Sequence, residues 1–191
     1  VDDVVTTDED VVLSDDVSLN DTDADGDALT FSVVTDVDPL HGTLNLIADG
    51  TFTFTPLANF SGVATFTYLA NDGRVDSNIG TVTITVNAIN DPPIAAPDSF
   101  VTLEDTMFSS TAAAINLTNN DSDPENAPLT VILIDDVSNG TLTFTGNDFT
   151  YMPNANFEGA DSFTYAVSDG EAQSNTVTVS ITVTAVNDPP V

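Results

Sequence analysis

The side chains best suited to chemistry in this sequence are carboxylates, and they are gathered in short stretches. The chain of 191 residues has 31 Asp and Glu against one basic residue, Arg74, and a formal charge of −30 with the single histidine neutral. The clustered acids are Glu9, Asp10, Asp21, Asp23, Asp25, Asp27, Asp72 and Asp91, and then Glu104, Asp105, Asp121, Asp123, Glu125, Asp169 and Asp188. Oxygen ligands without Cys or a His cluster select a hard cation. Because calcium accepts about six to eight oxygens in flexible geometry, whereas magnesium keeps its waters, we expect Ca²⁺.

Composition excludes several classes of function. One Arg cannot replace the counterions of a nucleic acid, so no nucleic-acid partner is expected. The longest purely apolar run, residues 131–134, is far shorter than the roughly 20 residues of a membrane-spanning helix. We expect no membrane insertion and no signal peptide. The lone His41 lies in a turn and has no second His with which to build a nucleophilic triad, and the acids lie in open polar loops. The chain is therefore predicted not to be an enzyme.

The sharpest local motif is Asp21-Thr-Asp23-Ala-Asp25-Gly-Asp27, which begins like an EF-hand loop. An EF-hand needs a bidentate Glu at the twelfth position, and this chain has Ser32 there, inside a predicted strand. We therefore reject an EF-hand. Two interpretations stay open: a calcium site on this first loop, or a solvated acidic turn.

An internal repeat determines the domain organisation. Shifting the chain by about 97 residues places NAINDPPI over TAVNDPPV, and FTFTPLANFSGVATFTYLANDG over FTYMPNANFEGADSFTYAVSDG. Two copies of about 95 residues account for the chain. The predicted domains are residues 1–90 and residues 91–191.

Each copy is predicted to consist of strands. Segments such as TFTFT, ATFTYLA and TVSITVTA alternate apolar residues with Thr or Ser at period two, which buries one face. About seven short strands per copy indicate an all-β chain of two tandem Greek-key β-sandwiches of immunoglobulin-like shape. Aromatic side chains are expected to fill the cores: Phe52, Phe54, Phe60, Phe66 and Tyr68 in copy one, and Phe149, Tyr151, Phe157, Phe163 and Tyr165 in copy two.

The loop NDxD before a strand, the strand ending FTYxxxDG, the early Glu-Asp pair and the linker Asn-Asp-Pro-Pro together resemble the cadherin-like repeats of large bacterial surface and adhesion proteins. The resemblance covers nearly all of both copies. It implies a central calcium site made of Glu9 from copy one, Asn90 and Asp91 from the linker, and Asp121, Asp123 and Asp169 from copy two. Equivalent half-sites would use Asp21, Asp23 and Asp72 at one end and Glu104 and Asp188 at the other. Asp25 and Asp27 could close a separate site on the first loop.

The resemblance implies a non-catalytic, calcium-rigidified spacer or adhesion segment of a long secreted or cell-surface protein, and we expect an extracellular, bacterial location. Neighbouring repeats of the same array are the expected partners. The alternative is a calcium-dependent module that binds a polysaccharide or another cell-surface protein.

Overall fold

The structure, a computed structural model, describes residues 1–187 and consists of two compact units, one covering Val1–Ile89 and the other beginning at Asn90. Within the described residues, each unit has seven β-strands. In unit 1 they are β1 Asp3–Asp8, β2 Leu13–Asp16, β3 Thr30–Thr35, β4 Gly42–Leu46, β5 Thr51–Pro56, β6 Gly62–Asn71 and β7 Gly80–Asn87. In unit 2 they are β8 Asp98–Leu103, β9 Phe108–Ser109, β10 Thr130–Asp135, β11 Gly140–Thr145, β12 Asp148–Pro153, β13 Gly159–Ser168 and β14 Val177–Thr184. The predicted all-β class is confirmed.

Both units have the same sheet topology. Unit 1 pairs a four-stranded sheet in the order β1-β7-β6-β3 with a three-stranded sheet β2-β5-β4. Unit 2 repeats this arrangement as β8-β14-β13-β10 and β9-β12-β11. The first strand of each unit runs parallel to the last, while the other pairs are antiparallel. Adjacent strands of a sheet that are distant in sequence are typical of the predicted Greek-key sandwich.

The core of each unit is built from the inward positions of these alternating strands. In β6, Ala64, Phe66, Tyr68 and Ala70 are buried, and the residues between them are exposed or half-buried. Edge-to-face aromatic contacts extend this packing, since the rings of Phe52 and Phe66 have centroids 5.2 Å apart at 69°. Eight of the ten predicted core aromatics are fully buried: Phe52, Phe54, Phe66, Tyr68, Phe149, Tyr151, Phe163 and Tyr165.

Phe60 and Phe157 depart from the expectation of inward-facing core groups. Both are only partly buried and pack against their cores from the loop after β5 or β12. In each case the preceding residue, Asn59 or Asn156, has a positive φ, which turns the chain away from the strand direction. Phe60 stacks on the ring of His41 at 4.5 Å, so His41 packs in its turn as an apolar surface.

Short helical turns interrupt the strands, where the sequence predicted strands throughout. They are the α-helix α1 Ser110–Ala113 and two 3₁₀ turns, Val17–Asn20 and Leu117–Asn119. Each begins at a side-chain cap, in which Asp16, Ser109 or Asn116 accepts a backbone N–H two or three residues ahead. Segments this short carry no helical periodicity. Within residues 1–187, no helix has the length and apolar character needed to cross a membrane.

Candidate metal centre

In unit 2 the linker residue Asn90 forms a hydrogen bond with Asp169 of the Asp169-Gly170 turn. Asn90 Nδ2 donates to Asp169 Oδ2 at 2.9 Å, while Asp169 Oδ1 accepts the N–H groups of Glu171 and Ala172 at 2.7 and 2.6 Å. The hydrogen bonds from the Ala172 backbone, the Asn90 side chain and the Glu171 backbone hold the pKa of Asp169 below its ordinary value. Asp169 is therefore a fixed, ionised carboxylate with the amide of Asn90 beside it.

Asp123 has one satisfied and one orphaned carboxylate oxygen. Its Oδ1 accepts the Ala127 N–H at 2.7 Å, whereas Oδ2 is buried and has no hydrogen-bond partner. An unsatisfied buried carboxylate oxygen is costly, and native structures usually pair such an atom with a donor, a water or a cation. Among the described residues of unit 2, this buried oxygen is therefore suited to accept a hydrogen bond or to bind a cation.

The main chain of the linker approaches the same loop. Asp91 N–H donates to Glu125 Oε2 at 3.3 Å, and Ile94 and Ser122 exchange backbone hydrogen bonds of 2.8 and 3.0 Å. The loop residues 121–125 are thereby tied to residues 91–94. Asn90, Asp91 and Asp123 consequently belong to segments held together in unit 2.

Asp121, by contrast, is held by the sandwich itself. Its Oδ1 accepts the Ala96 N–H at 2.8 Å, and its two oxygens lie 3.3 and 3.4 Å from the Tyr165 hydroxyl. That hydroxyl is closer to Asp98 Oδ2, at 2.8 Å. Desolvation by burial raises the pKa of both Asp98 and Asp121. Asp121, which belongs to the same loop as Asp123, therefore holds the start of unit 2 in place through Ala96.

Unit 1 repeats this arrangement. The Tyr68 hydroxyl lies 2.9 Å from Asp21 Oδ2 and 3.0 Å from Asp3 Oδ2, and Asp21 also pairs with the α-amino group of Val1. Desolvation by burial raises the pKa of Asp3. The motif that sequence reasoning missed is this pairing of a buried Tyr with an Asp at the start of each unit, Asp3 or Asp98. A signal existed, because both Asp residues recur at the same place in the repeat.

The first acidic loop of unit 1 is organised around one carboxylate. Asp23 Oδ1 accepts the N–H groups of Asp25 and Asp27 at 2.8 and 3.0 Å. Asp25 and Asp27 are exposed, and Asp27 Oδ2 lies 3.8 Å from the guanidinium of Arg74. The loop is a hydrogen-bonded turn between the 3₁₀ turn Val17–Asn20 and β3, without the two flanking α-helices of an EF-hand, in agreement with rejection of an EF-hand. The separate site with Asp25 and Asp27 stays a prediction.

Asp72 resembles Asp169 in its local bonding. Its Oδ1 accepts the N–H groups of Arg74 and Val75, both at 2.7 Å. Hydrogen bonds from the backbones of Val75 and Arg74 lower the pKa of Asp72. This carboxylate is ionised and fixed in direction at the same end of unit 1 as Asp21 and Asp23.

Glu9 lies at the opposite end of unit 1. It is 5% exposed, and one of its carboxylate oxygens accepts the N–H of Ile89. In the sheet, Asp8, next to Glu9, pairs with Asn87, the last residue of β7. Tyr68, which contacts Asp21, pairs with Gly80, the first residue of β7. Eight residues of strand separate these ends by about 25 Å. Glu9 therefore cannot share a cation with Asp21, Asp23 or Asp72 of its own unit.

Glu104 repeats the role of Glu9 in unit 2, since its Oε1 accepts the Val186 N–H at 2.6 Å and the residue is 7% exposed. Its predicted companion Asp188 lies outside the described residues. Across residues 1–187, no three acidic, His or Cys side chains stand close enough to hold one metal ion together. The eleven predicted ligands therefore fall into smaller sets: Asn90 with Asp169, Asp91 with the loop of Asp121 and Asp123, Asp23 with Asp25 and Asp27, and Asp21, Asp72 and Glu9 in separate bonds.

Comparison with known proteins finds a family model for each unit. Residues 1–88 match the family model for the bacterial cadherin-like domain, and residues 90–182 match that for the bacterial Ig domain. Integrin beta-like protein B of Dictyostelium discoideum is 34% identical over 93 residues, which cover 41% of this chain and 5% of that protein.

Solved cadherin ectodomains have the same fold. The human protocadherin-24 EC1-2 structure matches with a TM-score of 0.63 at 14% identity, covering 96% of this chain and 95% of that one. The human mucin-like protocadherin EC1-2 structure has a TM-score of 0.57 at 17% identity, with 97% of each chain covered. Cadherin-like and Ig-like domains are generally non-catalytic and typically extracellular. The resemblance to bacterial cadherin-like repeats is thus confirmed, since residues 1–88 are similar to the bacterial cadherin-like domain, residues 90–182 are similar to the bacterial Ig domain, and the fold is that of cadherin ectodomains.

Proposed function

We propose that the chain is a calcium-binding, calcium-stiffened spacer and adhesion segment of a long secreted or cell-surface protein, with bacterial surfaces as its setting. The observation that carries this proposal is the orphaned Oδ2 of Asp123. It lies in the same unit as Asp169, which hydrogen bonds keep ionised and fixed. The atoms available as metal ligands in this region are carboxylate and amide oxygens, which fit a hard cation.

The residues proposed to hold calcium at the start of unit 2 are Asn90, Asp91, Asp121, Asp123 and Asp169. Calcium would have to draw them together, because no three acidic side chains of the described residues stand close enough to hold one metal ion. The family resemblance adds Glu9 of unit 1 to the set. When bound, calcium would supply positive charge to carboxylates that otherwise repel one another. The chain's own part is to keep these groups in place: Ala127 orients Asp123, and the backbone of residues 171–172 orients Asp169.

Stiffening follows from the position of these groups beside the linker. Pro92 and Pro93 fix two φ angles and remove two backbone donors, so few torsions stay free in this segment. A cation that draws Asn90 and Asp91 onto the loop of Asp123 would restrict the backbone torsions that are still free in the linker. Extracellular calcium modules bind with Kd values of about 10⁻⁴ to 10⁻³ M, which suits a setting with millimolar calcium.

The proposal is tested by calorimetric titration of calcium into the chain and into Asp123→Asn. We expect at least one site in that affinity range for the unchanged chain and an affinity at least about tenfold weaker for the variant, because Asn offers a neutral oxygen. Asp136→Asn is the matched control, since Asp136 is exposed and accepts the neighbouring Val137 N–H in its own turn.

Equal calcium affinity in the unchanged chain and in Asp123→Asn would refute the assignment of Asp123. No heat of binding at all would refute calcium dependence, and attention would then pass to a polysaccharide or a cell-surface protein as the ligand.

A further inference from the structure

The two methionines of the chain, Met107 and Met152, both belong to unit 2 and both lie at its surface. Met107 is 62% exposed and Met152 is 40% exposed. Methionine commonly fills irregular gaps in a core, and two side chains this exposed do not serve that purpose. Because the sequence contains no Cys, these two thioethers are also its only sulfur groups.

The sheet register places the two methionines opposite each other. Tyr151 of β12 pairs with Phe108 of β9 in an antiparallel ladder, and one step further along the same register Met152 lies opposite Met107. Tyr151 and Phe108 pack in the core of unit 2. Since side chains alternate across a strand, the two methionines share the outer face. Opposite residues of an antiparallel pair have Cβ atoms about 4.5–5.5 Å apart.

The backbone on both sides of this pair is held in place. The Phe108 ring stacks on that of Phe100, with centroids 4.1 Å apart. On the other side, Asp105 Oδ1 accepts the Asn156 N–H at 3.0 Å. Met152 lies inside β12, which pairs with β11 along this stretch. The sandwich therefore fixes both backbone positions, while each thioether keeps three rotatable bonds with which to bring its sulfur onto a shared ion.

Unit 1 has the same strand pair without the sulfur atoms. Leu13 of β2 pairs with Phe54 of β5 at the equivalent place. The positions that correspond to the two methionines are consequently Val12 and Thr55, and both are exposed. The methionine pair is therefore a feature of unit 2 and not a requirement of the fold.

Thioether sulfur is a soft ligand that selects cations such as Cu(I), whereas calcium and magnesium prefer carboxylate and carbonyl oxygens. The net charge of −30 raises the concentration of cations around the chain. We propose that Met107 and Met152 together form a binding site for one soft monovalent cation of the Cu(I) type. The ion would be held between the two sulfur atoms, with solvent completing its coordination. The site shares no residue with the proposed calcium ligands, and it goes beyond the spacer function.

The test is a titration of Ag(I) into the chain in chloride-free buffer, followed by NMR of the two methionine ε-methyl groups. Ag(I) is the probe because it has the charge and softness of Cu(I) and does not need exclusion of air. Millimolar calcium nitrate in the buffer competes for carboxylates and leaves the thioethers free. The variants are Met107→Leu and Met152→Leu, which conserve volume and apolar character. His41→Asn is the control, because it removes the single imidazole, which lies in unit 1.

We expect both methyl signals to shift together and to saturate at one ion per chain. Each Leu variant should bind at least about tenfold more weakly, because a single thioether loses the gain from two linked ligands. His41→Asn should leave the titration of the methyl signals unchanged. Methyl signals that titrate with different midpoints, or that do not shift, would overturn the proposal. Unchanged affinity in either Leu variant would overturn it as well.

Discussion

A buried carboxylate in unit 2 gives the sharpest prediction of stability. Asp161 is 8% exposed and accepts hydrogen bonds from the N–H groups of Ser138 at 3.0 Å, Asn139 at 2.9 Å and Ser162 at 2.9 Å, and from the Tyr151 hydroxyl at 2.9 Å. Asp161→Ala leaves these donors without their acceptor. Because each unsatisfied buried polar group costs about 1–3 kcal/mol and water can reach some of them, we expect unit 2 to lose roughly 2–4 kcal/mol.

Unit 1 supplies an internal control, because the equivalent positions are Ala64 and Phe54, both fully buried. Asp161→Ala should therefore lower the unfolding midpoint of unit 2 alone. Adding Tyr151→Phe removes one orphaned donor, so the double variant should lose less stability than the sum of the two single variants.

The same carboxylate predicts a pH dependence. Burial alone would raise the pKa of Asp161, but the hydrogen bonds from Ser138, Asn139, Tyr151 and Ser162 outweigh it and lower the pKa below its ordinary value. Its contribution is therefore fully present above the unfolded pKa of about 3.9 and is lost as the pH falls through the lower folded pKa. Asp161→Asn should flatten this acid loss in unit 2.

The assay is calorimetry of the two-unit chain between pH 7 and pH 2, with the transitions assigned by NMR. A loss of stability shared equally by both units, or a loss below about 0.5 kcal/mol in unit 2, would refute the reasoning.

Other variants test packing and surface charge. Phe66→Ala should cost unit 1 about 3–5 kcal/mol, measured by chemical denaturation, because the ring is 1% exposed in the core. Gly140→Ala should destabilise unit 2, since a Cβ there would lie 2.5 Å from the Tyr151 ring; an unchanged midpoint in thermal unfolding would contradict that packing. Arg74→Ala should change the stability of unit 1 by less than about 0.5 kcal/mol by the same method, because the Arg74–Asp27 pair is 3.8 Å long and largely exposed.

The strands and their buried faces could be predicted from sequence because alternation at period two directly reflects which side chains leave water. Phe66 and Tyr68, two residues apart in β6, are both buried for this reason. The partial exposure of Phe60 could not be predicted, because it depends on the positive φ of Asn59, and the alternation of apolar and polar residues contains no information about that angle.

The acidic side chains were harder to interpret, since a carboxylate can serve a metal, a turn or a hydroxyl with the same sequence pattern. Asp23 and Asp72 each bond backbone N–H groups of their own turns. Asp21 and Asp3 instead both contact the hydroxyl of Tyr68, from which they are 47 and 65 residues away in the sequence. Such long-range pairings depend on sheet register, so the recurrence of Asp3 and Asp98 in the repeat marks these two positions without identifying the Tyr that each contacts.

The central claim, that calcium stiffens this pair of domains, is tested most directly by small-angle scattering of the chain in millimolar calcium and then in chelator. The account predicts a longer maximum dimension and a narrower distance distribution with calcium, reversed by the chelator and absent in Asp123→Asn. Identical scattering curves in both conditions would contradict it.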